Sequence, residues 1–286
     1  MQQSRLLPSV FAAALLAGCA GPATRADAPA VAIVAPPAVA IVAPPVAQPP
    51  APMPAPPTSP PMGAELAHLE RLAPDADPGV LALALEARAC AVRNGTVDPA
   101  SRLAVIDYSR PSTAKRLWLF DLAQPRLLHH EHVAHGQGTG DNLARRFSNA
   151  DGSHATSLGL FRTAETYMGG NGYSLRMDGL DPGFNDNARR RAIVVHGADY
   201  AEPSRIPALG RLGRSHGCPA VRRSVARVLI DDLKQRQLLF AYADDADFLR
   251  RGRSFACDGR SAGQILAQAR EAARRGGLPQ DAVAAP

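Results

Sequence analysis

Hydrophobic and polar positions divide the chain into three regimes. Leu6 to Gly18 is one nearly unbroken apolar run, and residues 21–63 are Ala, Pro and Val with few charges and no helical or strand period. From residue 65 onward the pattern becomes periodic. Glu65 to Leu72 and Val80 to Arg93 are predicted helices. In the second, Leu81, Leu85, Ala89 and Val92 share one face while Leu83, Ala87 and Cys90 share another, so burial on more than one side is expected. Asn94-Gly95 is a stop signal. The period then shortens. Leu103 to Tyr108, Leu117 to Asp121 and Leu127 to Val133 are short, apolar or alternating, and separated by turn residues; they are predicted strands of a meander, continued by Leu158 to Arg162 and Tyr173 to Met177. Ala192 to Val195 is apolar throughout, as in a strand buried on both faces. Val221, Val225, Val228, Leu229 and Leu233 mark a helix face, with Pro219 or Ser224 at its start. Leu238 to Tyr242 is a predicted closing strand, and Ser261 to Arg275 a last amphipathic helix before a frayed end. The expected class is mainly β with flanking helices (α+β).

Composition sharpens the division. Of 286 residues 26 are proline, most of them before residue 63, which leaves about 200 residues for one substantial core. The expected organisation is a leader over 1–18, a linker over 19–63, a folded domain with a helical preface over 64–260, and a C-terminal helix and tail over 261–286. Residues 1–18 hold one charge, Arg5, before a run too short to span a bilayer, which is the pattern of a secretory signal. It ends in Leu16-Ala17-Gly18-Cys19, which resembles the bacterial lipobox, with Cys19 as the lipidated residue and the membrane reached through that lipid. Ala20 in the next position favours the outer membrane by the rule for such proteins, so a periplasm-facing lipoprotein of the cell envelope is expected. The linker repeats Val31-Ala-Ile-Val-Ala-Pro-Pro37 at Val39-Ala-Ile-Val-Ala-Pro-Pro45. Its prolines favour an extended chain with a reach on the order of 100 Å. The formal net charge is +6. No helix-turn-helix, zinc finger or aromatic RNA platform accompanies it, so no nucleic-acid partner is expected; the charge equally suits an anionic polymer such as a cell wall.

The candidate chemistry lies in two stretches. Ala192-Ile193-Val194-Val195-His196-Gly197 delivers a histidine to a turn, and Gly213-Arg214-Ser215-His216-Gly217-Cys218-Pro219 presents a cysteine after a glycine. A thiolate nucleophile, imidazoles and backbone N–H groups freed by glycine are the parts of a cysteine acyl-transfer site. Cys218 is the expected nucleophile, His196 its base and His216 a nearby positive charge. Gly217 is expected to turn the backbone so that N–H groups of residues 216–218 face an oxyanion. His129, His130, His132 and His135 around Glu131 invite a metal reading, but solvated strand histidines are the expectation. Gly136 to Gly140 lacks the strand–helix context of a dinucleotide loop and is expected to be a flexible loop near the cleft. No metal and no cofactor is called for. With Cys19 and Cys218 assigned, Cys90 and Cys257 remain; in an exported protein they either pair or stay as two buried thiols.

Six segments carry a resemblance: Val105 to Ser112, Arg116 to Phe120, Val133 to Gly136, Gly179 to Asn187, His196 to Tyr200, and Leu212 to Val221. Together they resemble the murein L,D-transpeptidase catalytic-domain family over about residues 80–243. The resemblance implies a β-sandwich or mixed-sheet catalytic domain and an acyl-enzyme on Cys218. It further implies that the Gly197 carbonyl orients the His196 ring and that Ser215, His216 and Gly217 shape the oxyanion site. Tyr200 and Asn185 fall in matching segments and are expected to contact substrate. The family usually has Arg two residues after the nucleophile, where this chain has Ala220. Arg214 and Arg222 are therefore the candidates for the donor carboxylate. The implied partners are peptidoglycan stem peptides. The implied reaction joins two of them by a 3–3 cross-link; water as acceptor, giving a carboxypeptidase or amidase, and a non-enzymatic wall tether are the alternatives.

Overall fold

The computed structural model describes residues 62–276. The leader, Cys19, most of the linker and the last ten residues lie outside them. Two helices open the fold, α1 (Met62–Leu72) and α2 (Pro78–Arg93), and short helices α3 (Ile206–Leu209) and α5 (Ala246–Arg251) lie later in the chain. Helix α2 starts where Asp77 accepts hydrogen bonds from the N–H of Gly79 (2.7 Å) and Val80 (3.2 Å), with Pro78 in the first turn. It is apolar on nearly all sides because it lies between the sheet and the C-terminal helix α6 (Ala262–Gly276). The Arg270 guanidinium meets Asp77 at 3.0 Å across that contact. Helix α6 is therefore part of the folded body rather than an appendage to it. None of the described helices is long and apolar enough to cross a membrane.

The strands are β1 (Arg102–Asp107), β2 (Leu117–Asp121), β3 (Arg126–Glu131), β4 (Gly159–Gly169), β5 (Gly172–Gly179), β6 (Val194–Gly197), β7 (Ala220–Val221) and β8 (Leu238–Tyr242). They form one mixed sheet in the order β3-β2-β1-β8-β4-β5-β6-β7. The first three strands and the β4–β5 hairpin are antiparallel neighbours, as a meander requires. The predicted closing strand is instead central: β8 inserts between β1, to which it runs parallel, and β4. Its unbroken run Leu-Leu-Phe-Ala-Tyr is buried at every position, which suits a strand covered on both faces.

Two further boundaries differ from expectation. Ala192 takes a positive φ of 53° at the end of a turn, so β6 begins at Val194 and includes His196 and Gly197. After the cysteine, Val221 belongs to β7, and helix α4 (Arg223–Leu233) begins without a side-chain cap from Ser224 or a start at Pro219. Helix α4 buries Ala226, Leu229, Ile230 and Leu233, while Val228 points to solvent. A Cβ on Gly197 would stand 2.8 Å from the Ala226 Cβ, so glycine after the histidine is what lets α4 lie on β6.

The histidines of the third strand region are not simply solvated. His129 meets Asp232 at 2.8 Å and His130 stacks on Trp118 with ring centroids 5.2 Å apart. His132 faces the Thr113 carbonyl at 3.1 Å. His135 is buried beside Arg116, which is itself fully buried. Arg116 donates to the Val133 carbonyl (3.1 and 2.8 Å), the Arg110 carbonyl (2.8 Å) and His135 Nδ1 (2.8 Å). Accepting at Nδ1 leaves the His135 proton on Nε2, which faces the Gly140 carbonyl at 3.3 Å. Burial, and then the adjacent guanidinium, push the His135 pKa down to about 4.

Cys90 and Cys257 form a disulfide with Cα atoms 5.7 Å apart, joining α2 to the C-terminal segment across 167 residues. Buried Glu86 beside it accepts from Arg93 (2.8 Å) and Arg260 (3.0 Å).

Two stability measurements follow from this packing. Replacing both Cys90 and Cys257 by Ser is expected to lower the unfolding free energy by about 2–5 kcal/mol, since a long loop is released in the unfolded chain. Equilibrium urea titration with and without reductant checks this, and the double variant should lose its sensitivity to reductant. His135 contributes in the second. Its folded pKa lies below the ordinary value of 6.5, so its contribution is complete above that value and is lost as pH falls towards 4. The loss is expected to reach about 3 kcal/mol. Urea midpoints measured from pH 7.5 to 4 should fall more steeply for the wild type than for His135→Gln.

Candidate active site

The Cys218 turn is gripped from two sides. On one side, β7 pairs in parallel with β6, with His196 opposite Ala220 and Gly197 opposite Val221. On the other, the segment after β3 is zipped to the same stretch. Ala134 N–H donates to the Ala220 carbonyl (2.8 Å), Ser215 N–H to the His135 carbonyl (3.0 Å) and Gln137 N–H to the Ser215 carbonyl (2.8 Å). The glycine-rich 136–140 loop is consequently packed rather than flexible. Gly138 N–H donates to the His154 carbonyl at 2.9 Å, and Thr139 is fully buried, its hydroxyl accepting from Thr156 N–H at 2.7 Å.

Within the turn, Ser215 Oγ donates to the Cys218 carbonyl (2.7 Å) and accepts from Gly217 N–H (3.1 Å). Gly217 sits at φ +119°, a conformation L side chains rarely adopt, and a Cβ there would stand 2.8 Å from the Ala155 carbonyl oxygen. Its N–H is taken up by Ser215, so Gly217 shapes the turn rather than donating to an oxyanion. The N–H groups of His216 and Cys218 have no hydrogen-bond partner among the described residues and remain as donors.

Cys218 is the one free cysteine among the described residues and is half-buried. Its Sγ lies 3.4 Å from Val194 N–H and 3.7 Å from the Ala192 carbonyl. Burial pushes the thiol pKa up; the Val194 N–H and the Arg191 guanidinium pull it back down. His196 is buried, with Nδ1 3.1 Å from the Gly197 carbonyl and Nε2 3.3 Å from the Tyr200 hydroxyl. A proton on Nδ1 satisfies the carbonyl and leaves Nε2 as the basic nitrogen. Burial lowers the His196 pKa, so the ring is neutral at neutral pH and able to accept a proton. His196 stands on β6, and Cys218 lies in the turn just before β7, the strand paired with it. Sγ is opposite Val194, two residues before His196 and on the same face, a step of about 7 Å along a strand. No hydrogen bond joins them.

The remaining expected residues separate. Tyr200 is at the site, against His196. His216 lies on the rim, exposed, with its ring stacked on His154 at a centroid distance of 4.2 Å. Arg214 flanks the turn and reaches the Gly140 carbonyl (3.0 Å) and exposed Asp141 (2.9 Å). Arg222 does not stand free: its guanidinium makes a two-point contact with Glu131 at 3.0 and 2.9 Å. Asn185 is not at the site at all. It is fully buried, accepting from Asp181 N–H (2.7 Å) and donating to the Leu160 carbonyl (2.9 Å), and so holds the loop after β5 against β4. Three contributors had no motif to announce them: His154, Thr156 and Arg191. Thr156 Oγ1 accepts from Gly136 N–H (2.9 Å) and donates to the Gly217 carbonyl (3.3 Å), tying both walls of the turn together. Arg191 was one of three consecutive arginines, and only its place just before a buried strand hinted that it turns inward.

Comparison with known proteins agrees with this geometry at the level of family. A sequence model of the L,D-transpeptidase catalytic domain matches residues 72–242. No curated protein matches the chain. Among solved structures, an L,D-transpeptidase from Mycobacterium smegmatis is 15% identical over 50% of this chain and 59% of its own, with a TM-score of 0.31. An L,D-transpeptidase from Stackebrandtia nassauensis is 12% identical over 57% of this chain and 68% of its own, also with a TM-score of 0.31. L,D-transpeptidase 3 from Mycobacterium tuberculosis is 13% identical over 50% of this chain and 61% of its own, with a TM-score of 0.29. The chain thus spans about three-fifths of the length of the mycobacterial structures.

Gly217→Ala tests the turn directly. The added Cβ meets the Ala155 carbonyl oxygen in a backbone conformation already strained for alanine, so the turn must move. Alkylation of Cys218 by iodoacetamide, followed by intact mass, should change in rate by at least fivefold, while the near-UV circular dichroism of the core aromatics stays in place.

Proposed function

We propose, for a chain that belongs to the L,D-transpeptidase catalytic-domain family, that Cys218 is the nucleophile of an acyl transfer on peptidoglycan stem peptides. The observation that carries this reading is a half-buried thiol held in a glycine turn with two N–H groups that have no partner among the described residues, its sulfur two strand residues from a buried, neutral imidazole. The Cys218 proton passes to His196 Nε2 and Sγ forms a bond to the carbonyl carbon of the third stem residue. Proton transfer across the gap between them takes one bridging water or a small rotation of the ring when substrate binds. The oxyanion is met by the N–H groups of His216 and Cys218. Collapse breaks the bond to D-Ala, whose amine leaves with the proton from His196. An amine from a second stem then gives its proton to His196 and attacks the thioester. The S–C bond breaks, the thiol regains its proton and a 3–3 cross-link remains. With Arg222 engaged by Glu131, Arg214 is the candidate for the donor carboxylate, since its acidic partner among the described residues, Asp141, is exposed.

The setting is inferred from residues 1–63 alone. A signal-like leader, a lipobox cysteine at Cys19 and a long proline linker are consistent with a periplasm-facing lipoprotein of the outer membrane, its catalytic domain carried on a tether towards the wall.

Incubating the protein with purified tetrapeptide muropeptide tests the reading. The expected product is a 3–3-linked dimer from the wild type and none from Cys218→Ala. Tripeptide alone would assign water as the acceptor, and turnover retained by Cys218→Ala would remove the thiol from the chemistry. Intact mass after exposure to a carbapenem should show one adduct on the wild type and none on Cys218→Ala; a wall-binding protein without an acylatable thiol would show neither.

A further inference from the structure

Arg191 is held in an unusual way. It is partly buried, and four of its N–H bonds go to neutral groups of the 148–157 loop. Nη1 donates to the Ser148 carbonyl (2.7 Å) and Ser157 Oγ (2.6 Å); Nη2 donates to Ser153 Oγ (3.1 Å) and the Ala155 carbonyl (2.7 Å). It makes no salt bridge among the described residues, and Asp151, the acid that acts on it, is paired with Arg190 at 3.8 Å. So the guanidinium keeps its full charge, and it has too few free donors to grip a substrate carboxylate in the two-point manner. Its place is also specific: a Cβ on Gly217 would stand 3.3 Å from Nη2 and 2.8 Å from the Ala155 oxygen that Nη2 holds. One guanidinium therefore sits behind the nucleophile turn and anchors the carbonyl that presses on it.

We infer that Arg191 is a positioning residue for the nucleophile, supplying the fixed positive charge that favours the Cys218 thiolate and holding the Ser148 and Ala155 carbonyls of the loop that packs behind the turn. The inference rests on Cys218 being the reactive thiol, as proposed above. Other titratable groups surround that thiol: Tyr108 after β1, Tyr200 and His196 on and after β6, and the stacked His216 and His154 on the rim. The phenols add no positive charge and burial keeps His196 neutral at neutral pH, whereas the guanidinium is charged there.

The test reads the thiolate without any wall substrate. The rate of iodoacetamide alkylation at Cys218, followed by intact mass from pH 6 to 11, gives the thiol midpoint, and each unit of midpoint is a tenfold change in thiolate at lower pH. Arg191→Gln is expected to move the midpoint upward and slow alkylation at pH 7 by at least fivefold, with the rates converging at high pH, while Arg191→Lys moves it by less than half as much. Ser153→Asp leaves Arg191 in place and sets a carboxylate on its guanidinium; it too should raise the midpoint, and it remains informative if Arg191→Gln does not fold. Unmoved midpoints in Arg191→Gln or Ser153→Asp, or equal shifts in Arg191→Gln and Arg191→Lys, would overturn the inference. Because no muropeptide is involved, these results stand apart from the transfer assay: a normal alkylation profile with no dimer product would fault the proposed reaction and not the role of Arg191.

Discussion

A buried guanidinium without a salt bridge among the described residues must be satisfied by dipoles, and those dipoles must then stay where they are. Arg116 imposes that condition at the heart of this protein. Its partners are the Val133 and Arg110 carbonyls and one nitrogen of His135, all held within hydrogen-bond distance, with the guanidinium 5.0 Å from the centre of the Tyr108 ring. Leaving any of these unmet would expose a buried charge to an apolar interior. The segment 133–135 is therefore fixed in place, and its carbonyl at His135 receives Ser215 N–H. Burial lowers the Arg116 pKa to about 10, still well above neutrality, so the constraint holds throughout the physiological range.

From that anchor the site is assembled in short steps. Ser215 is pinned by backbone bonds on both sides, and its hydroxyl closes the turn onto the Cys218 carbonyl. Strand β6 supplies the opposite wall and brings His196 to the level of Ala220. Gly197 admits helix α4, which keeps β6 from moving away. The loop 148–157 closes the back through Thr156 and Arg191. Two guanidinium groups thus frame the turn, one beneath the segment that holds Ser215 and one behind Gly217. Both are satisfied by neutral acceptors, which leaves their charge available to whatever negative charge develops between them.

Burial sets the protonation states at rest. The thiol is pushed up and the imidazole down, so at neutral pH the pair rests as neutral thiol and neutral imidazole rather than as an ion pair. In the reaction proposed above, a pair at rest in this state relies on base-assisted attack and fixed positive charge, which is the role inferred for Arg191.

The sequence by itself determined the local elements and singled out the cysteine turn and the histidine strand that the fold brings together. Apolar periodicity located α1, α2, β1, β2, β5, β8 and α6 to within a few residues, because each is a contiguous pattern whose buried face repeats at its own period. The His-Gly and Ser-His-Gly-Cys motifs stood out because glycine beside a reactive side chain is a local backbone requirement. Only the tertiary structure decided which strands are neighbours. Nothing in Leu238 to Tyr242 distinguishes an edge position from the centre, since pairing with β1 is a contact across more than a hundred residues. The same holds for charge. Arg191, Arg214 and Arg222 are alike in sequence; a loop of carbonyls and hydroxyls, an exposed aspartate and a buried glutamate give them different surroundings. Asn185 matched a motif but serves the core, because an amide has both a donor and an acceptor and the fold supplied partners for each away from the cleft.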